Sequence, residues 1–181
     1  MKTGNISHMS EQLKNPVNGR DHIQGPASAP LVLVEYGDYQ CPSCGESYLI
    51  LKSVQQQLGN KLRFIFRNFP LEEHPDAFGA AMAAEAAALQ HKFWEMHDLL
   101  YSNQLYLGSD DLLGYAEELG LDTRRFSQDL QSEVLAAKIQ AEFESGESSG
   151  VTGTPNFYIN GEKYNGDWEG DSLTHYLKRL L

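Results

Sequence analysis

The chain has very few cysteines and no long apolar run. Only two cysteines occur among its 181 residues, so a zinc site built from two cysteine pairs is excluded. The six histidines are scattered, and none has the spacing of a zinc-binding histidine pair. No apolar stretch approaches the roughly 18 residues that a membrane-spanning helix needs. We therefore expect neither a bound metal nor insertion into a membrane.

Positive charge is also scarce. There are 25 acidic residues against 14 basic ones, and the net charge is −11. Such an excess argues against nucleic acid and anionic membrane surfaces as partners. A chain of 181 residues is long enough to form one domain with its own core.

The beginning of the chain is polar. Residues 1–20 are predicted to form a disordered segment, in which Ser7-His8-Met9 resembles a cloning remnant covering residues 1–9. No apolar signal-peptide core occurs, so the sequence as written predicts a cytoplasmic protein. Removal of a signal peptide would instead make it periplasmic or exported. The folded domain is expected to span residues 21–181.

Hydrophobic patterns predict a β–α–β unit, a helical block and a β–β–α unit. The first clear strand covers residues 31–36, and a helix follows to about residue 58. A second strand covers residues 61–67, and helices dominate from about residue 74 to 149. In such parallel units the ligand site lies at the carboxyl ends of the strands, where Cys41 is found.

The two cysteines form the motif Cys41-Pro42-Ser43-Cys44 at the predicted strand–helix junction. Pro42 suits the first helical position, which leaves Cys41 facing unpaired backbone N–H groups and the positive end of the helix dipole. A thiolate is stabilised there, and Cys44 lies one turn further along, less exposed but within reach. A purely structural disulfide is disfavoured, because a two-residue loop restrains the unfolded chain very little. The pair is typical of thiol–disulfide exchange.

Several motifs together resemble the DsbA-like thiol:disulfide oxidoreductases of the thioredoxin-fold superfamily. The resemblance covers residues 21–181, and its anchors are Gly25-Pro26, Ala29-Pro30, residues 34–44, residues 93–97 and residues 153–161. The pattern also looks like the thioredoxin-type domains fused to sodium/proton antiporters. The resemblance implies an α/β thioredoxin fold, with a helical domain at about residues 74–149 inserted between the βαβ and ββα halves.

The resemblance also implies the remaining site residues. Pro155 is expected to be cis and to pack beside the cysteines, with Thr154 contacting the nucleophile and the backbone of the substrate. Glu35 is expected to be the partly buried acid beneath the disulfide. The sequence supports this independently, because Glu35 ends an apolar strand, where burial would raise its pKa. A solvated glutamate at the end of a strand is the alternative interpretation.

The chain departs from the strongest oxidases of this family at Ser43. Those enzymes resemble Cys-Pro-His-Cys, whereas serine brings no positive charge to the Cys41 thiolate, and Asp38 and Glu46 add negative charge nearby. We expect the pKa of Cys41 to lie in the upper half of the range of roughly 3.5–7.5 that activated thiols cover. The pair should be a mild oxidant, and the direction of electron flow stays open.

The sequence therefore predicts a thiol:disulfide oxidoreductase that acts on cysteine-containing proteins together with an unidentified redox partner. No cofactor is expected, because the two sulfurs carry the chemistry. Two alternatives remain: a redox-sensing or chaperone-like binding domain without turnover, and a glutathione-dependent transferase or isomerase on a related fold. Cys44 argues against the second alternative, because such enzymes generally lack the second cysteine. The oligomeric state is left undetermined.

Overall fold

A computed structural model describes residues 11–181, and in that part of the chain five strands form one mixed sheet. The strands are β1 (His22–Gln24), β2 (Leu31–Gly37), β3 (Leu62–Asn68), β4 (Asn156–Ile159) and β5 (Glu162–Tyr164). Their order in the sheet is β1-β3-β2-β4-β5. Only β2 and β3 are parallel neighbours, and the other three pairs are antiparallel.

Seven α-helices accompany the sheet within the described residues. The first, α1 (Pro42–Leu58), connects the parallel strands β2 and β3. Five helices then lie between β3 and β4, and a final helix follows β5: α2 (Ala77–Ala88), α3 (Phe93–Ser102), α4 (Ser109–Glu118), α5 (Thr123–Asp129), α6 (Glu133–Ser149) and α7 (Ser172–Arg179). This order confirms the predicted α/β fold, with a helical insertion between the βαβ and ββα halves. None of these helices has the length and apolarity that crossing a bilayer would require.

The alternation of β2 places its side chains on two different cores. Leu31 and Leu33 join the larger core, which also receives α1, α7 and much of the helical insertion. Val34 and Tyr36 point to the opposite face and pack with residues such as Tyr158. Because successive side chains alternate, Glu35 lies on the same face as Leu33, beneath α1. The strand therefore directs a carboxyl group toward the start of the helix that carries both cysteines.

The beginning of the described chain corrects one prediction. Residues 1–10, including the predicted cloning remnant, lie outside the described part of the chain, but residues 11–20 are not a disordered segment. Leu13 donates its backbone N–H to Gly161 O at 2.8 Å, and Lys163 donates its own to Glu11 O at 2.8 Å. The segment runs along the outer edge of β5, where it satisfies backbone groups that an edge strand would otherwise expose.

A buried polar cluster fastens the helical insertion to the sheet. Its members, which we call the Glu85 cluster, are His22, Asn68, Glu85, Lys138 and Glu142. Glu85 is 2% exposed and accepts hydrogen bonds from His22 Nε2 at 2.9 Å and Lys138 Nζ at 3.0 Å. Asn68 Nδ2 donates to Glu85 at 3.0 Å and to Glu142 at 2.8 Å. The cluster therefore joins two strands to two helices through charged and polar side chains.

Candidate active site

Cys41 occupies the N-cap of α1, and Pro42 is the first residue of the helix. Both Cys41 and Cys44 are free thiols, so the site is in its dithiol form. Cys41 is only 6% exposed and Cys44 is fully buried, whereas Pro42 and Ser43 between them are exposed. The predicted order of exposure is confirmed. Cys41 is nevertheless more enclosed than the sequence suggested, because the loop before β4 packs against its sulfur.

The two sulfurs have opposite pKa shifts. The thiol of Cys44 hydrogen-bonds to the Cys41 sulfur and, despite opposing burial, lowers the pKa of Cys41 to about 5. The Thr154 side chain and the backbone N–H groups of Ser43 and Cys44 act in the same direction. Burial, followed by the interaction with Cys41, raises the pKa of Cys44 well above its ordinary value. Only Cys41 is therefore a thiolate at neutral pH, with a lower pKa than the sequence suggested.

Thr154, in the loop that leads into β4, lies beside the Cys41 sulfur. The peptide bond between them is cis, the conformation that the resemblance implied. The carbonyl oxygen of Thr154 is 3.6 Å from Cys41 Sγ, although the two residues are 113 positions apart in the chain. The residues leading into β4 thus form one wall of the site, and the start of α1 forms the other.

Glu35 lies beneath α1, within β2. Glu35 is only 1% exposed, which rules out the alternative of a solvated glutamate. The hydroxyl of Ser47 donates to Glu35 Oε1 at 3.1 Å and also to Cys44 O at 2.9 Å. Burial raises the pKa of Glu35 to about 8; the Ser47 hydrogen bond opposes this shift, and the charge of Cys41 adds to it. This carboxyl group can therefore gain or lose a proton near neutral pH.

Asp38 has a structural role that the sequence did not reveal. Its side chain is fully buried, and Oδ1 accepts the backbone N–H groups of Gln40 at 2.7 Å and Cys41 at 3.1 Å. Oδ2 accepts from Leu71 N and from His74 Nδ1, both at 2.8 Å. Asp38 followed by a turn is a local signal that could have been found, since aspartate commonly accepts N–H groups two and three residues ahead. The contact with His74 has no such signal.

Gln104 is a second residue that sequence reasoning missed. It lies between α3 and α4, and its Nε2 donates to Tyr39 O at 3.0 Å and to Cys41 O at 2.9 Å. Gly45 leaves room for it, because a Cβ at that position would lie 2.1 Å from Gln104 Oε1. The helical insertion thus holds the backbone at the nucleophile and two residues before it. Glu46, in contrast, points to solvent.

These features are those of a recognised family. A family model described as thioredoxin matches residues 17–179. The chain belongs to the thioredoxin family. Within the described residues of this thioredoxin-family protein, no group of three or more His, Cys, Asp or Glu side chains is arranged to hold a metal ion.

Solved structures with a similar fold include alpha-DsbA1 and the thiol-disulfide exchange protein alpha-DsbA2, both from Wolbachia pipientis. A thioredoxin-like oxidoreductase from Silicibacter pomeroyi superposes with a TM-score of 0.79 at 25% identity, over 90% of this chain and 92% of that one. Oxidised BdbD from Bacillus subtilis has a TM-score of 0.82 at 21% identity, over 94% and 96% of the two chains. The second likeness shows the fold alone.

A curated relative carries a different name. A protein named Na(+)/H(+) antiporter NhaA 1 from Salinispora arenicola is 43% identical over 156 residues, which is 86% of this chain. The matched region is only 24% of that relative, so this chain spans about a quarter of it. This agrees with the resemblance to thioredoxin-type domains fused to antiporters.

Proposed function

We propose that this domain is a protein thiol:disulfide oxidoreductase that works through Cys41-Pro42-Ser43-Cys44. The observation that carries the proposal is the contrast between the two sulfurs at one helix N-terminus. Cys41 has a lowered pKa and contacts the substrate-facing loop, whereas Cys44 is buried and has a raised pKa. A nucleophile and a resolving thiol need these two different properties.

In the oxidising direction, a substrate thiolate attacks Cys41 Sγ of the Cys41–Cys44 disulfide. The bond between the two enzyme sulfurs breaks, and Cys44 leaves with the electron pair and takes up a proton. A second substrate thiol then loses its proton and attacks the substrate sulfur of the mixed disulfide, which releases Cys41 as a thiolate. Two electrons have passed from the substrate dithiol to the enzyme. The reverse sequence reduces a substrate disulfide.

Glu35 is proposed to supply and accept the proton of Cys44. Its pKa of about 8 keeps it mostly protonated at neutral pH, and Ser47 Oγ lies between the two residues, 3.1 Å from Glu35 Oε1 and 2.9 Å from the carbonyl oxygen of Cys44. An acid with a pKa near the working pH serves well as a proton donor and acceptor. The fully buried Cys44 has no direct access to solvent protons.

The substrates are proposed to be cysteine-containing proteins, and a separate redox partner restores the starting state. Thr154 supports this, because its carbonyl group reaches the Cys41 sulfur from the loop that precedes β4. An extended peptide beside this loop would bring its own sulfur to Cys41. The exposed Ser43 lies at the same mouth and tunes the pair without adding charge.

The test compares the wild-type protein with Cys41→Ser and Cys44→Ser in insulin reduction and in oxidation of a dithiol peptide. We expect the wild type to turn over in both assays and both variants to lose turnover. Cys44→Ser should accumulate a mixed disulfide with the peptide, visible by mass spectrometry. Cys41→Ser should trap none, because its remaining thiol is buried and protonated.

Two other results would replace this function. A wild-type protein that changes redox state but never turns over would be a sensor or a binding domain. Activity that depends on glutathione and survives in Cys44→Ser would indicate the glutathione-dependent alternative.

Equal trapping by the two variants would contradict the division of roles between the sulfurs. The equilibrium potential against glutathione then decides whether oxidation or reduction is favoured.

A further inference from the structure

The Cys-x-x-Cys motif contains no cationic side chain, but the fold brings a histidine close to it. Ser43 provides no cation to the Cys41 thiolate. The imidazole of His74, in the connection between β3 and α2, binds the same carboxylate that binds the backbone of Cys41. One carboxylate, that of Asp38, is all that separates the histidine from the N-terminus of the nucleophile's helix.

The geometry makes this histidine an integral part of the loop. Asp38 Oδ2 accepts from His74 Nδ1 at 2.8 Å, and the side chain of Asp38 is 0% exposed. The His74 side chain is 21% exposed, so its other edge can exchange protons with water. Gln40 and Asp76 add two further hydrogen bonds between the same segments, at 2.8 Å and 3.2 Å. These hydrogen bonds therefore fix the position of His74 relative to Asp38.

A buried carboxylate next to a thiolate would oppose ionisation of the thiol. Two negative charges repel each other, and burial strengthens the repulsion. A protonated His74 on Asp38 would neutralise that carboxylate while leaving its hydrogen bond to the Cys41 N–H intact. The largest effect on His74 is burial, which lowers its pKa, but the hydrogen bond and charge of Asp38 together outweigh burial and raise the pKa overall.

We propose that His74 is a positioning residue for the nucleophile, and that its imidazolium on Asp38 compensates the buried negative charge and thereby favours the Cys41 thiolate. This inference rests on the proposed function, because it assigns the reactivity of the same sulfur.

The charged groups around His74 are consistent with this role. Asp38 faces it from the end of β2, and Cys41 faces it from the start of α1. Glu73 lies on its own connection, and the charges of all three groups raise the pKa of His74. Asp76, also on that connection, is engaged with Gln40. The histidine therefore faces negative groups, and its charge and that of Cys41 stabilise each other.

The experiment titrates Cys41 in the reduced protein by thiolate absorbance near 240 nm. His74→Asn keeps an N–H donor at the position of Nδ1 but removes the charge, and His74→Ala removes both. We expect the midpoint of Cys41 to rise by about half a pH unit to one pH unit in both variants. Ser43→His in the His74→Asn background should move the midpoint back down. His175→Asn, an exposed histidine on α7, is the matched control and should change nothing.

An unchanged midpoint in His74→Asn would overturn the proposal, and so would a shift confined to His74→Ala, since it would assign the effect to the hydrogen bond alone. If His74→Ala does not fold, the wild type provides a second measurement. Alkylation of Cys41 against pH should show an additional inflection where the His74 ring titrates by NMR, and its absence would overturn the proposal. None of these readouts needs turnover, so failure of the oxidoreductase assays remains a separate result.

Discussion

Two glutamates of this protein are buried to the same extent but have pKa values shifted in opposite directions. Glu35 is 1% exposed and, among residues 11–181, hydrogen-bonds only with the hydroxyl of Ser47, so burial raises its pKa to about 8. Glu85 is 2% exposed but faces His22 and Lys138. Burial by itself would raise the pKa of Glu85, yet the bonds and charges of these two partners hold it below its ordinary value.

The difference separates a site for chemistry from a site for structure. A buried acid without a cation changes protonation state near neutral pH and can exchange protons with a reacting group. Glu85, which faces both His22 and Lys138, stays charged and holds elements together. The fold places the first kind under the cysteines and the second kind between the sheet and the helical insertion. The predictions below test this contrast, beginning with the largest effect.

The largest expected effect concerns the pH dependence of stability at Glu35. Its folded pKa of about 8 exceeds the ordinary value of 4.5, so its contribution to stability is complete below pH 4.5 and is lost as the pH rises through 8. The difference between the folded and the ordinary pKa corresponds to roughly 5 kcal/mol of folding stability. Glu35→Gln keeps an oxygen for Ser47 and should remove this loss. Urea unfolding of reduced wild type and variant at pH 5, 7 and 9 measures the difference.

The control for this prediction is Glu46→Gln, an exposed position on the same helix as the cysteines. It should follow the wild-type curve at every pH. If Glu35→Gln and the wild type show parallel stability curves between pH 5 and 9, Glu35 is not held protonated by burial. Its proposed proton transfer to Cys44 would then lose its basis as well.

Glu85 should show the opposite sign of pH dependence. Because folding lowers the pKa of Glu85, the stability that this residue contributes is present at pH values above its pKa in the unfolded chain. That stability is lost as the pH falls. Glu85→Ala leaves the cations of the cluster without their shared carboxylate and should cost about 3 kcal/mol at pH 7. Calorimetry or urea unfolding measures this, and activity at temperatures where the variant is folded should persist.

The comparison variant is Lys52→Ala, which breaks an exposed ion pair with Asp98 at 2.8 Å. Exposed pairs contribute at most about 1 kcal/mol, so this change should be small. Equal costs for Glu85→Ala and Lys52→Ala would mean that the Glu85 cluster does not fasten the insertion to the sheet.

The smallest effect concerns Gln104, which links the insertion directly to the backbone around Cys41. Gly45→Ala would force its side chain away, because a Cβ there meets Gln104 Oε1 at 2.1 Å. In a Gln104→Ala background, the same change should stabilise α1 by up to about 1 kcal/mol through helix propensity. In the wild-type background, loss of two hydrogen bonds of about 1 kcal/mol each should outweigh that gain and leave a net destabilisation of about 1 kcal/mol. A double-mutant cycle of unfolding free energies should therefore show coupling, and strict additivity would contradict the contact.

Local patterns were sufficient for the framework of the fold. The apolar run of β2, the helical spacing of α1 and the proline at its first position all act within a few residues, so the Cys41–Cys44 junction was predictable. The order of strands and helices followed from the same periodicities. The prediction failed for residues 11–20, because a polar segment has no local signal for the sheet edge that it covers.

The sequence by itself thus determined which atoms react, since both sulfurs and their spacing belong to one helical turn. The tertiary structure decided how they react. Thr154 reaches Cys41 across 113 positions, and His74 reaches Asp38 across 36. The burial that raises the pKa of Glu35 exists only once α1 packs on β2. Contacts of this kind depend on how the whole core closes, whereas residue propensities act over only a few neighbouring positions.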